Sequence, residues 1–200
     1  MDAYQTKSIL MDSSKYMPYL VKMFSELGGT IEQKEVADIK EALEECGVVV
    51  NCTGLGSKKL FNDVKLYPVR GQVVLVEPNG FDNVLADDEA FNNLSYIIPR
   101  IDDIVVGGTA QKDNWSLEID PEDTKEILRK APGMSPVFKD VKIIKEKVGL
   151  RPARDEVRLE LERVDNDSVI IHNYGHGGAG YTLSWGCANE VIEIINALKN

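Results

Sequence analysis

Near its end the chain reads "VIIHNYGHGGAGYTLSWG" (169–186), an apolar, β-branched run that enters a glycine-crowded turn and leaves it as a helix. This stretch constrains the fold more than any other, because strand, turn and helix succeed one another without a linker. Gly175, Gly177 and Gly180 match G-x-G-x-x-G, the spacing that brings backbone against a cofactor. Two readings are open. The glycines serve a tight turn that needs positive φ, or they clear side chains so that the amides of Gly180, Tyr181 and Thr182, at the start of a helix, face a negatively polarised ligand atom. A self-contained Rossmann unit is not expected, because that needs a further strand and a ribose-binding acid about 20 residues on.

A second strand of the same kind, "VVVNCTGLG" (48–56), is apolar and ends in small residues. Such a run predicts a strand buried on both faces, as in a parallel sheet covered by helices. Before it, "SKYMPYLVKMFSEL" (14–27) has helical periodicity and stops at Gly28-Gly29, "TIEQKEVADI" suggests strands around a short turn, and "KEALEECG" a helical turn. The middle differs. "YPVRGQVVLVEP" (67–78), "LSYIIPR" (94–100) and "IVVGGTAQ" (104–111) are short β-rich runs set apart by Pro, Gly, Asn and Asp, as in an antiparallel or mixed sheet of hairpins. Asp120, Pro121 and Gly133 predict cap, first turn and stop of a helix near 121–131. Residues 156–163 alternate and pair across "DND" with 168–174 as a hairpin, and the last 20 residues form a helix with one face on a core. The fold class is therefore mixed α/β (α+β), with a discontinuous domain formed by residues 1–64 and 168–200 around a sheet domain of residues 65–167.

Composition narrows the function. A net charge of −10, with 33 acidic against 23 basic side chains, argues against nucleic acid as a partner, since phosphate binding needs a basic surface. No apolar run is long enough to span a membrane and the N-terminus lacks the plan of a signal peptide. Three cysteines without C-x-x-C or metal-ligand spacing predict buried free thiols in a reducing compartment, and the two histidines have no partners in sequence for a metal.

The candidate chemistry is sparse. No Ser-His-Asp order, P-loop or paired carboxylates appear, so no residue is assigned as an acid or base. Arg151 stands before Pro152, which forces it into extended backbone; a guanidinium so held is suited to gripping a carboxylate in two-pronged fashion, with a structural salt bridge as the alternative. Arg158 falls on the outward face of an alternating strand and reads as solvated. Tyr96 opens a strand, as a core aromatic or a site residue.

Six blocks in order, "VVVNCTGLGSKKL", "YPVRGQV", "SYIIP", "VVGGTAQKDNWSL", "KEKVGLRPARDEVRLE" and "IIHNYGHGGAGYTLSWGCA", resemble the FAD-dependent D-amino-acid oxidase family, and within it the D-aspartate oxidase branch. The resemblance implies a partial FAD-binding Rossmann-like domain beside a substrate-binding sheet domain that also supplies a homodimer surface. It implies FAD as cofactor, and a D-amino acid and O2 as the small-molecule partners. In the implied reaction flavin N5 takes a hydride from Cα, the imino acid hydrolyses to 2-oxo acid and ammonia, and O2 becomes H2O2. By the same resemblance, Arg151 and Tyr96 hold the substrate carboxylate and the Gly178 carbonyl accepts from the amine. Gly177, Gly178, Gly180, Tyr181 and Thr182 face the flavin, Cys52, Thr53 and Gly54 lie along FAD, and Glu35 or Val36 meets the adenine end.

Two departures stand out. The family's strand, G-x-G-x-x-G and helix that cradle the pyrophosphate lie upstream of anything in this sequence, so weak or no FAD binding is expected of a chain truncated there. The arginines that the aspartate branch uses for a second carboxylate fall at Ala110 and near Glu89. Open alternatives are an oxidase of neutral or basic D-amino acids, an inactive fragment acting as a binding or dimerisation module, and a glycine- or sarcosine-type oxidase. Localisation is peroxisomal by resemblance; the ending "ALKN" is not an S-K-L-like signal, which leaves the cytoplasm as the other expectation.

Overall fold

The structure, a computed structural model, describes residues 4–87 and 94–199, so Glu89 lies outside the described residues. A single mixed sheet organises them. Its strands are β1 (Val48–Asn51), β2 (Tyr67–Val76), β3 (Leu85–Asp87), β4 (Ser95–Pro99), β5 (Ile104–Gly107), β6 (Gln111–Lys112), β7 (Ile143–Arg163) and β8 (Val169–His176). They lie in the order β1-β8-β7-β2-β5-β4-β3, with β6 beside β2. The hairpins expected in the middle are present: β4 pairs antiparallel with β5, β5 with β2, and β2 with β7. The 156–163/168–174 hairpin also forms, with Arg158 opposite Tyr174 and Arg163 opposite Val169, and β1 runs parallel to β8.

The length of β7 makes the sheet continuous. Its first half, up to Ala153, lines β2; after a register shift between Ala153 and Arg158 its second half lines β8. Arg151, Pro152 and Ala153 thus stand where the antiparallel part of the sheet meets the part built on β8 and β1.

The two faces of β2 differ in chemistry. Val74, Val76, Ile97, Ile104 and Val106 point to one face and are covered by Ile127 and Ala131 of helix α4 (Pro121–Met134) and by Phe138, forming the apolar core. Arg70 and Gln72 lie on this face and are buried, but they are satisfied. Arg70 donates to Asp123, Gln111 and Gln72 and to the carbonyls of Ser116 and Glu118, and Gln72 bonds the Asp120 carbonyl and Thr124. A guanidinium with every N–H group engaged costs far less to bury than a bare one. The other face carries Gly71, Val73, Gly107, Gly149 and Arg151.

Several sequence expectations change. Asp120 caps α4, accepting from the Glu122 amide, but the helix runs past Gly133 to Met134, because Pro132 forfeits only its own N–H bond and the Ser135 amide still bonds the Ala131 carbonyl. "TIEQKEVADI" forms no strand; its charged residues have no neighbouring strand to pair with, and Lys34 instead bonds Glu45 of helix α2 (Lys40–Glu45). β1 is not buried on both faces: Val48 and Val50 are exposed, because β1 is the sheet's edge and no helix covers it among the described residues. Helix α1 (Ser13–Glu26) starts on Asp12 and ends before Gly28, at φ +86, yet buries no residue. Helix α5 (Gly180–Ala197) buries only Val191, while Leu183, Trp185 and Ile192 are exposed. The thiols are free, as expected, but Cys46 and Cys52 are exposed and Cys187 half-buried, since they flank the uncovered β1 and α5. No helix of the described residues is long and apolar enough to cross a membrane.

Candidate active site

Gly71 and Gly149 face each other across β2 and β7, and Gly107 stands on the next strand opposite Val73. With no side chains there, the sheet surface becomes a shallow floor, and two side chains lie down on it. A methyl group on Gly71 would sit 2.3 Å from an Arg151 nitrogen, so the guanidinium lies directly over that glycine. A methyl on Gly107 would meet the Tyr96 ring. At Gly71 and Gly107 the missing side chain therefore gives room for a close approach, and neither has a positive φ. The resulting groove, about 310 Å³, is lined by Gly71, Val73, Lys147, Val148, Gly149, Leu150 and Arg151, the lower end of the size range of small-molecule sites.

Arg151 donates from its guanidinium to the Thr109 carbonyl, at 3.1 Å, and also hydrogen-bonds the Tyr96 side chain; a guanidinium has five N–H groups, so others remain for a ligand. Burial pushes the Tyr96 phenol up, against the pull of the nearby Arg151 charge, so the hydroxyl is a neutral donor at physiological pH.

The two glycine turns close over the same segment. Gly54, at φ +53, approaches Pro152; Gly177, at φ +56, approaches Ala153; and Gly178 comes within van der Waals distance of Arg151. Positive φ answers the question raised by the motif in part: Gly175 and Gly177 need it, whereas Gly178 and Gly180 do not. A 3-10 turn, Gly177–Ala179, leads directly into α5 at Gly180, and no side chain caps that start. Arg151, Tyr96, Gly178, Gly177, Gly54 and the α5 start thus converge, and Cys52 and Thr53 link the end of β1 to Gly54. Thr53 is held by Asn51 and Ser57. Glu35 and Val36 lie on the irregular stretch between α1 and α2, and no described hydrogen bond ties them to these residues. Ala110 is exposed, beside Thr109.

Sequence reasoning missed the polar groups beneath the turns. His172 is wholly buried between Asn51 (3.1 Å) and Glu162 (2.9 Å), and burial holds its pKa below the usual imidazole value. Tyr174 donates to Asp63, which also pairs with Arg154. Burial pushes Asp63 up, yet hydrogen bonds from Tyr174 and the Lys65 amide and the Arg154 charge hold it below the ordinary carboxylate value. Arg158 is not solvated; it reaches Tyr174, Glu160 and Glu162. The signal for these was faint, because alternation along β7 places Arg158 outward, and only tertiary packing supplies Tyr174 to meet it.

A family model described as FAD dependent oxidoreductase matches residues 3–194. The chain belongs to this FAD-dependent oxidoreductase family. It is 47% identical over 94% of its length to a D-amino-acid oxidase of Dictyostelium discoideum, covering 54% of that protein. It is 40% identical over 97% to one from Rubrobacter xylanophilus, covering 60% of it. Against human D-aspartate oxidase the identity is 38% over 92%, covering 55% of that protein. The chain therefore spans a little over half the length of the curated relatives it matches. Among solved structures, glycine oxidase of Bacillus cereus superposes with a TM-score of 0.65 at 23% identity, covering 76% of this chain and 43% of that one. That likeness concerns the fold, and it accords with the mixed α/β architecture expected from the sequence.

Proposed function

We propose that this chain forms the substrate-gripping and flavin-facing side of an FAD-dependent oxidase that deaminates D-amino acids to 2-oxo acid, ammonia and H2O2. The observation that carries the proposal is the convergence of Arg151, Tyr96 and the Gly178 turn on one glycine floor.

The residues present fit a flavin: two positive-φ glycine turns clear space above Pro152 and Ala153, and the start of α5, which no side chain caps, would set the helix's positive end at Gly180, Tyr181 and Thr182 beside a polarised ring edge. Cys52, Thr53, Gly54, Gly177 and Gly178 would hold it from the same side. When bound, FAD supplies the two-electron acceptor for the substrate's Cα–H bond and passes the electrons to O2.

The chain's own task is positioning. Arg151 binds the α-carboxylate with the N–H groups that Thr109 leaves free, and the neutral Tyr96 hydroxyl donates a further bond. The Gly178 carbonyl accepts from the amine. Three fixed contacts on two substituents of Cα decide which face of that carbon turns to the cofactor, and so select one enantiomer. The groove lining contains no carboxylate or imidazole, which suits a reaction driven by orientation rather than by proton transfer.

The test is oxygen consumption and H2O2 release, with FAD supplied, by the chain joined to an upstream strand, G-x-G-x-x-G and helix that restore the pyrophosphate cradle, on D-alanine, D-aspartate, D-arginine and L-alanine. Oxidation of D but not L substrates is expected, and Arg151→Met should lower kcat/KM by about 100-fold, the loss of one charged two-pronged contact. Absence of D-amino-acid oxidation, or an Arg151→Met variant equal to wild type, overturns the proposal.

A further inference from the structure

The glycine floor has two cations on its rim. Arg151 and Lys147 belong to the regular stretch of β7, four residues apart, with Gly149 between them, so all three present to one face of the sheet. The rows across the sheet make the arrangement explicit. Lys147 stands opposite Val73, Val73 opposite Gly107, and Gly107 opposite Tyr96, which places Lys147 and Tyr96 at the two sides of the same row. Arg151 enters from the far end and lays its guanidinium over Gly71, in the row of Gly149. From that row to the next, where Lys147 springs, is about 6.8 Å along the strand at ~3.4 Å per residue. A four-carbon stem spans that distance with ease. Both side chains line the groove, and among the described residues Lys147 makes no ion pair or hydrogen bond.

An exposed ammonium with no protein partner, on the rim of a groove whose other cation is placed to grip a carboxylate, calls for a second anion on the same ligand. Ala110 cannot supply that charge. We infer that Lys147 binds a distal carboxylate of the ligand held by Arg151, and so makes acidic D-amino acids the preferred substrate class. The inference rests on the oxidase reading for the word substrate; the dicarboxylate site itself does not.

The experiment uses two plain acids that differ by one carboxylate, succinate and propionate, titrated by calorimetry into the protein without added FAD. Succinate is expected to bind about tenfold more tightly. Lys147→Met should reduce that preference to about twofold or less, Lys147→Arg should restore most of it, and Lys145→Met, two residues further along the same strand, should retain it. Equal binding of the two acids by wild type, failure of both to bind, an unchanged preference in Lys147→Met, or an equal loss in Lys145→Met overturns the inference. A Lys147-dependent preference in a protein that oxidises no D-amino acid sinks the oxidase reading alone. Oxidation of D-alanine without any succinate preference sinks the subsite alone.

Discussion

Replacing Gly71 by Ala should separate stability from binding: stability should change little and carboxylate binding should fall. The new methyl would sit 2.3 Å from one guanidinium nitrogen of Arg151 and 2.5 Å from the other and from the central carbon. Non-bonded heavy atoms rest near 3.5–4.0 Å, so the guanidinium must retreat by more than about 1 Å. Its 3.1 Å bond to the Thr109 carbonyl cannot survive such a shift. The backbone has no such quarrel: Gly71 lies in a regular strand and is not among the positive-φ residues. Alanine at a compatible site stabilises by roughly 0.4–1 kcal/mol through the unfolded chain, which offsets the lost charge-assisted bond in part. The midpoint of thermal unfolding should therefore move by only a few degrees. Carboxylate binding should suffer, because a displaced two-pronged grip forfeits about 1.5–3 kcal/mol, or roughly 10- to 150-fold in affinity. Calorimetric titration with propionate, beside a thermal melt, measures both. An affinity within about twofold of wild type in a folded protein would refute the reasoning. So would a loss of stability above about 2 kcal/mol, since it would mean that the guanidinium is locked in place.

Two further outcomes follow from the polar groups under the turns. Burial lowers the pKa of His172 in the folded state, against the opposing pull of Glu162. The unfolded chain then binds more protons between the folded and unfolded pKa values, so the contribution of His172 is complete above about pH 6.5 and is lost as the pH falls below it. Urea midpoints at pH 7.5 and 5.5 should show a drop that His172→Gln makes smaller; an equal or larger drop in the variant contradicts the assignment. Asp63→Ala should cost about 3 kcal/mol, because it strands the Tyr174 hydroxyl and Arg154 at a nearly buried site. A denaturation midpoint within 0.5 kcal/mol of wild type, on the ~1 kcal/mol scale of ordinary substitutions, would show that water replaces the carboxylate there.

How much was legible before the structure depended on the range of the interaction involved. Strands 67–76, 95–99 and 104–107, the α4 cap at Asp120 and the 156–174 hairpin were readable because alternation, turn residues and capping act between near neighbours. The apolar runs of β1 and α5 were equally readable as elements but are less buried than expected, since periodicity says which side is apolar but not whether anything lies against it. Of the site, the Arg151, Tyr96 and Gly178 grouping came from resemblance, whereas Lys147 drew no notice, because a lysine in "IIKEKVG" looks like any solvated charge.

By itself the sequence determined the local elements, the family and the residue types available for chemistry. The tertiary structure alone decided that Gly71, Gly107 and Gly149, three glycines distant along the chain, form one floor, and that both glycine turns rest on Arg151, Pro152 and Ala153. It decided as well that Arg158, outward by alternation, is held by Tyr174, and that Arg70 is buried within a ring of acceptors. The physical reason is register: which residues stand opposite one another across a sheet follows from the summed pairing of whole strands and the burial of one face, and no short stretch of sequence carries that sum.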